Sequence, residues 1–175
     1  MANELSFQCE VCGEPHEAPL VHRFEAPDEW SGAMAAHEMA SYLSLWGCEI
    51  EGVGDFLRGS IEIPVPSLDE VFTWDVWVQT YRVPTWGPTI SGDAVLANRL
   101  PYDPWTKEPP VSIRRRSGQA ALFTPVDPAH PLAVEQRRGM TPARVCEIAR
   151  LAVSRPPDTF GWLLESWHDQ YHGQR

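Results

Sequence analysis

The sequence predicts an α+β fold, in which an antiparallel sheet carries a few packed helices after an N-terminal zinc-knuckle-like segment. Segments of alternating apolar and polar residues indicate strands, and one later segment repeats its apolar residues at helical spacing. The 175 residues include 17 prolines, about twice the usual share, which excludes a helical bundle or a coiled coil. Eight tryptophans, six phenylalanines and four tyrosines supply material for a sizeable core.

Two antiparallel strand pairs are predicted. Residues 56–65 and 71–81 alternate in hydropathy and are joined by a turn-rich linker, as in a hairpin. A second hairpin is expected within residues 111–124, where Ser117 and Gly118 can form a tight turn.

Three helices are predicted, over residues 28–46, 142–153 and 159–170. The second is the clearest, because Thr141 can cap its N-terminus and Pro142 suits the first helical position. Its apolar residues recur three and four positions apart, which gives the helix one face for the core.

The chain is interpreted as one domain with an appendage. Residues 1–155 are assigned to a single α+β domain that includes the cysteine-containing segment 7–22, and residues 156–175 to a C-terminal helical extension. Residues 84–110 are rich in proline and are expected to be irregular, and residues 125–131 are expected to form a loop.

The charge is strongly negative and uneven. The formal net charge is −10, and residues 1–87 carry 15 acidic side chains against three arginines. This imbalance argues against nucleic acid and anionic membranes as partners and would suit a cationic protein partner, with a small ligand as the alternative partner. Solubility and attraction between the two halves of the chain explain the imbalance more simply. The start of the chain lacks the pattern of a signal peptide, and no run of 18 apolar residues occurs, so we expect a cytoplasmic protein without a membrane span.

The sharpest local motif is a pair of cysteines. Cys9 and Cys12 are three positions apart and precede Gly13, which is half of a zinc knuckle: two thiolates can chelate one ion above a tight backbone turn. A redox-active pair and two inert thiols are the alternatives. A closed tetrahedral site needs two further ligands, and the leading candidates are His16 and Cys48, ahead of Cys146, His22, His37 and His130.

Three other residues are weaker candidates for function. His130 and Glu135 could act as an acid–base pair, but the simpler interpretation is that His130 and Pro131 order a loop through hydrogen bonds. Trp77 shares its predicted strand face with polar residues, so it could sit under a helix or line a groove that binds a ligand or partner.

Several segments together resemble the bacterial domain-of-unknown-function family 2199. The matching segments are residues 7–16 with the cysteine motif, residues 56–65, residues 72–78 and residues 130–141. The position of Cys48 matches a family cysteine after the first helical region, which favours it as a third ligand. The resemblance implies a cytoplasmic bacterial protein and carries no established activity. The connection after residue 77 is shorter than the family pattern, and the tail from residue 155 is an extension.

Two functions are therefore considered. The first is a non-enzymatic binding or interaction protein with a structural zinc site. The second is a metal-dependent, hydrolase-like enzyme, in which an open zinc position would hold water and His130 and Glu135 would transfer protons. The coordination shell distinguishes them, because four protein ligands indicate a structural site and three indicate an open one.

Overall fold

The structure is a computed structural model that describes residues 4–30, 41–80, 93–98, 100, 109–114 and 120–154. These residues form ten strands and two helices. They are β1 (Ser6–Gln8), β2 (Pro15–Glu17), β3 (Val21–Arg23), β4 (Ser41–Leu43), β5 (Gly47–Ile50), β6 (Gly54–Val65), β7 (Glu70–Thr80), β8 (Asp93–Leu96), β9 (Pro110–Arg114), β10 (Ala121–Pro125), α1 (Pro131–Arg138) and α2 (Pro142–Ser154).

Five strands close into a barrel. Strands β6 to β10 pair in chain order with antiparallel neighbours, and β10 then pairs in parallel with β6, which closes the sheet. Strand β3 adds to β7 in parallel, and β5 and β4 extend the sheet from β6. Strands β1 and β2 form a separate two-stranded sheet.

The predicted α+β class is therefore wrong, since the described part of the chain is mostly β with two short helices. The first predicted helix, over residues 28–46, fails at both ends: residues 28–30 are not helical, and Ser41–Leu43 is strand β4. Residues 31–40 lie outside the described part. Strand β8 lies within residues 84–110, which were expected to be irregular. Short strands take their stability from distant neighbours, so local patterns identify them poorly.

The two predicted strand pairings are confirmed. The β6–β7 hairpin is confirmed, with Val65 opposite Glu70 at its turn and Asp55 opposite Thr80 at its far end. The β9–β10 pairing is confirmed as well, although the predicted turn at residues 117–118 lies outside the described residues.

Helix α2 is confirmed, and the Thr141 side-chain oxygen accepts a hydrogen bond from the N–H of Arg144 at 3.2 Å, as expected of an N-cap. Helix α1 was not predicted and begins at the end of the expected loop. The predicted helix over 159–170 and the extension over 156–175 lie outside the described residues.

The long strands β6 and β7 hold the core. Alternate residues of the pair point to one face, where they are fully buried; this set is Ile61, Ile63, Val65, Phe72, Trp74, Val76 and Val78. Gly59 lies where β10 pairs with β6, and a Cβ there would lie 2.6 Å from Cζ of Phe123. The absence of a side chain at Gly59 therefore permits the close approach that closes the barrel.

Candidate metal centre

The cysteine motif lies in the loop of the β1–β2 hairpin. Phe7 of β1 pairs with His16 of β2. The loop between them is closed by two backbone hydrogen bonds: the N–H of Cys9 donates to the carbonyl of Glu14 at 3.0 Å, and the N–H of Gly13 donates to the carbonyl of Cys9 at 2.9 Å. Gly13 has a φ of 77°, a conformation that glycine adopts readily and that this tight turn requires.

This loop brings three potential metal ligands together. The Sγ atoms of Cys9 and Cys12 and a ring nitrogen of His16 all lie within 4.8 Å of one another. Sγ of Cys12 lies 3.1 Å from Nε2 of His16. Cys9 is 1% exposed, Cys12 is exposed and His16 is partly buried, so the donor cluster (Cys9, Cys12 and His16) lies at the surface with one sulfur at its base.

The backbone around Cys9 favours its thiolate. Burial alone would raise the pKa of the Cys9 thiol, but the N–H groups of Cys12 and Val11 donate hydrogen bonds to the sulfur and outweigh burial, so the pKa is lowered from its ordinary value of 9.0. Hydrogen bonds from successive N–H groups stabilise a negatively charged sulfur, which is the form that ligates metals.

The donor set fits zinc. Two thiolates and an imidazole are ligands that zinc accepts, and in a tetrahedral site with Zn–S near 2.3 Å the donors lie about 3.5 to 4 Å apart. All three donors lie within 4.8 Å of one another, which is close to the spacing that such a site requires. The chemistry of the residues and their spacing therefore agree with a zinc site.

Cys48 does not join this cluster, contrary to the expectation. It lies on β5 opposite Phe56, where it is buried. Burial and, secondarily, the charge of Glu29 raise the pKa of its thiol to about 12. Cys146 is also buried, on α2 with its sulfur 3.8 Å from the carbonyl oxygens of Glu4 and Ser6, and burial raises its pKa. Both cysteines act as core thiols in this arrangement.

His130 and Glu135 each bond to another residue at the ends of α1 and α2. Nδ1 of His130 accepts a hydrogen bond from the N–H of Leu132 at 3.2 Å and so caps α1. Glu135 binds Arg144, with 3.0 Å between its carboxylate and Nε. Burial lowers the pKa of His130, although the charge of Asp127 opposes the shift. Both side chains thus serve the structure around α1, which agrees with the simpler interpretation.

His22 is a core residue. It lies on β3, packed against Phe72 and Trp74 with ring centroids 5.2 and 4.8 Å away. Burial lowers the pKa of His22 to about 3, although a backbone hydrogen bond at Pro19 opposes the shift. His37 lies outside the described residues.

The prediction that Trp77 lines an accessible groove is wrong, because Trp77 is 0% exposed. Its Nε1–H donates to the carbonyl of Phe24 at 3.0 Å, and the guanidinium of Arg58 lies 5.7 Å from the ring centroid. Among the tryptophans that the structure describes, Trp46 is the most exposed, at 54%. The adjacent Gly47 could have signalled a turn there, but the sequence was interpreted as the end of a helix.

Neither described helix has the length or apolar character needed to cross a bilayer.

No curated protein and no solved structure matches the chain. The sequence profile of the family described as "Uncharacterized protein conserved in bacteria (DUF2199)" matches residues 8–140, a range that contains the donor cluster. This match spans most of the chain and confirms the resemblance drawn from the motifs. The chain therefore belongs to the DUF2199 family.

Proposed function

We propose that Cys9, Cys12 and His16 bind one zinc ion, and that the protein is a non-enzymatic binding or interaction protein in which this metal is structural. The observation that carries the proposal is that two sulfurs from a six-residue hairpin loop and one imidazole from the adjoining strand β2 come together. No step of a reaction is needed to explain the arrangement.

A structural role is supported by the small size of the hairpin. Each of its strands has three residues, and isolated two-stranded hairpins are marginally stable in water. Leu5 and Phe7 anchor its base in the core, but beyond Cys9 the loop is exposed. An ion bound by residues at both ends of the loop would fix the turn and hold His16 of β2 against it.

Zinc binding is tested by metal analysis of protein purified without added metal. We expect one zinc ion per chain in the wild type and a loss of metal in Cys9→Ser, Cys12→Ser and His16→Asn. Matched controls are Cys48→Ala and Cys146→Ala, which remove thiols outside the donor cluster and are expected to retain the metal. Retention of zinc by Cys12→Ser, or loss of zinc in Cys48→Ala while the protein remains folded, would contradict the assignment.

Thiol alkylation gives a second readout. Cys12 is exposed, whereas Cys48 and Cys146 are buried and have raised pKa values. We expect an alkylating reagent to modify Cys12 rapidly after chelation of the metal and slowly when zinc is present. Equal rates with and without zinc would show that the metal does not bind the Cys12 sulfur.

A metal-dependent enzyme is the second candidate, because the three described donors leave one tetrahedral position open. The structural role requires a fourth protein ligand in that position, whereas the enzyme requires water there. Protein loaded with cobalt distinguishes the two. A visible spectrum that is unchanged by added azide indicates a closed, structural site. A spectrum that shifts with azide indicates an exchangeable position and favours the enzyme.

A further inference from the structure

The β4–β5 hairpin exposes several large apolar side chains. Tyr42 is 61% exposed, Leu45 62% and Trp46 54%. Single exposed apolar residues are ordinary, but three within five positions of one hairpin form a patch of the kind that marks interaction sites. Tryptophan and tyrosine in particular are enriched among the residues that dominate binding energy at interfaces.

Hydrogen bonds order the backbone of the β4–β5 turn that carries these side chains. Ser44 Oγ donates to the carbonyl of Gly47 at 2.8 Å and accepts from the N–H of Gly47 at 3.0 Å. The carbonyl of Trp46 accepts a hydrogen bond from the N–H of Arg58 on β6 at 3.1 Å. Because the turn is tied both internally and to β6, the exposed side chains stand on an ordered support, which lowers the entropy cost of binding.

Acidic side chains flank the patch. Tyr42 pairs with Glu49, which pairs with Asp55, so the three lie in one row across β4, β5 and β6. Glu51 follows in the next turn and, like Glu49 and Asp55, is exposed. None of these three carboxylates forms an ion pair with another residue in the part of the chain that the structure describes.

The two arginines described within residues 1–87 bind elsewhere. Arg23 and Arg58 both bind the same carboxylate, that of Asp75, at 3.0 Å. Within the described part of the chain, neither therefore neutralises the acidic charge of the hairpin. A second copy of this chain would bring its own excess of acidic charge to the surface, which disfavours self-association.

We propose that the β4–β5 surface (Tyr42, Leu45, Trp46, Glu49 and Asp55) binds a segment of another protein that is rich in lysine or arginine. Aromatic faces attract guanidinium and ammonium groups, and the carboxylate row supplies their counter-charges. The inference builds on the proposed interaction role and uses no residue of the donor cluster, so it stands or falls separately from zinc binding.

The test measures binding of a fluorophore-labelled oligo-arginine peptide by anisotropy, with an oligo-glutamate peptide of equal length as the reference. We expect binding of the arginine peptide alone and a loss of affinity with added salt. Trp46→Ala and the double variant Glu49→Gln/Asp55→Asn are each expected to weaken binding by about tenfold, as loss of an anchor or of a charge pair does.

Matched controls lie at the opposite end of the β6–β7 pair. Val71→Ala removes an exposed apolar side chain, and Glu62→Gln/Glu70→Gln removes two exposed charges. Both are expected to retain the wild-type affinity.

Three outcomes would overturn the proposal. They are the absence of binding, unchanged affinity in Trp46→Ala, and an equal loss in both double-charge variants, which would indicate diffuse attraction to an acidic protein. Cys12→Ser is expected to bind the peptide normally. If the wild-type protein contains no zinc and still binds the peptide, the zinc assignment is contradicted and the peptide-binding proposal is not.

Discussion

The two hairpins β1–β2 and β6–β7 share one topology and are stabilised in different ways. The β6–β7 hairpin has eleven paired positions, one face of which is fully buried inside the barrel. The β1–β2 hairpin has three paired positions and carries the donor cluster in and beside its loop. The comparison indicates that packing stabilises a long hairpin. A short hairpin at the surface has less packing and gains stability from a cross-link such as a bound metal ion.

The largest predicted effect is the loss of packing in the barrel. Trp74 is fully buried on β7 opposite Ile61. Trp74→Ala is expected to lower the free energy of unfolding by about 3 to 5 kcal/mol, because it removes a large side chain and leaves a cavity. Urea denaturation measures the change, and Val71→Ala at an exposed position of the same strand is expected to cost about 0.5 kcal/mol or less. Similar losses in the two variants would contradict the view that packing holds this hairpin.

Acid should destabilise the barrel through His22. The folded state holds this residue neutral with a pKa of about 3, whereas the unfolded chain has the ordinary value of 6.5. Between these values the unfolded state binds more protons, so the stability from neutral His22 is complete above pH 6.5 and is lost as the pH falls towards 3. The loss is about 1.4 kcal/mol per pH unit at most.

The matched variant is His22→Leu, which keeps an apolar side chain against Phe72 and Trp74. Urea unfolding of both proteins between pH 7 and pH 4, a range set by the two pKa values, isolates the contribution of His22 from that of the many carboxylates. The variant is expected to lose less stability than the wild type over this range. Parallel curves would show that His22 does not titrate on unfolding.

Closure of the barrel is tested at Gly59. Gly59→Ala is expected to cost about 1 to 3 kcal/mol, since its Cβ would press against Phe123 and the backbone of Ala121 and force β6 and β10 apart. At Gly47 a Cβ would have no neighbour closer than 3.8 Å, so Gly47→Ala is the matched control and should be tolerated. Equal stability of the two variants in thermal unfolding would contradict the close β6–β10 contact.

The smallest effect on global stability is expected at the donor cluster. Cys12→Ser should lower the free energy of unfolding of the barrel by about 1 kcal/mol or less, because Cys12 is exposed and belongs to a separate sheet. Tryptophan fluorescence during urea unfolding reports on the barrel, since Trp74 and Trp77 both lie on β7. Collapse of the barrel in Cys12→Ser would show that the metal site supports the whole fold.

The features that could be predicted from the sequence are those that depend on interactions between residues close together in the chain. The β6–β7 hairpin, helix α2 and the approach of His16 to the cysteine pair depend on residues close in the chain, and each was predicted from spacing. Barrel closure depends on pairing between β6 and β10, whose residues are more than 50 positions apart, and no local pattern encodes it.

The environment of Trp77 could not be predicted from local sequence patterns either. Its strand face carries polar neighbours, which suggested exposure. It is buried, and its partners are distant in the chain. Its Nε1–H donates to the carbonyl of Phe24 and its backbone N–H to Oδ1 of Asn98 at 2.7 Å, and the Asn98 amide donates to the carbonyl of Ala26 at 2.9 Å. Cys48 also depends on distant contacts, since it is buried on β5 opposite Phe56 and is not part of the donor cluster that the structure describes.

Amide hydrogen exchange before and after chelation of zinc tests the central claim most directly, because it reads the two hairpins in one experiment. The account predicts that removal of the metal abolishes protection of the amides of β1 and β2 and leaves those of β6 and β7 protected. Unchanged protection of β1 and β2, or equal loss of protection in both hairpins, would contradict it.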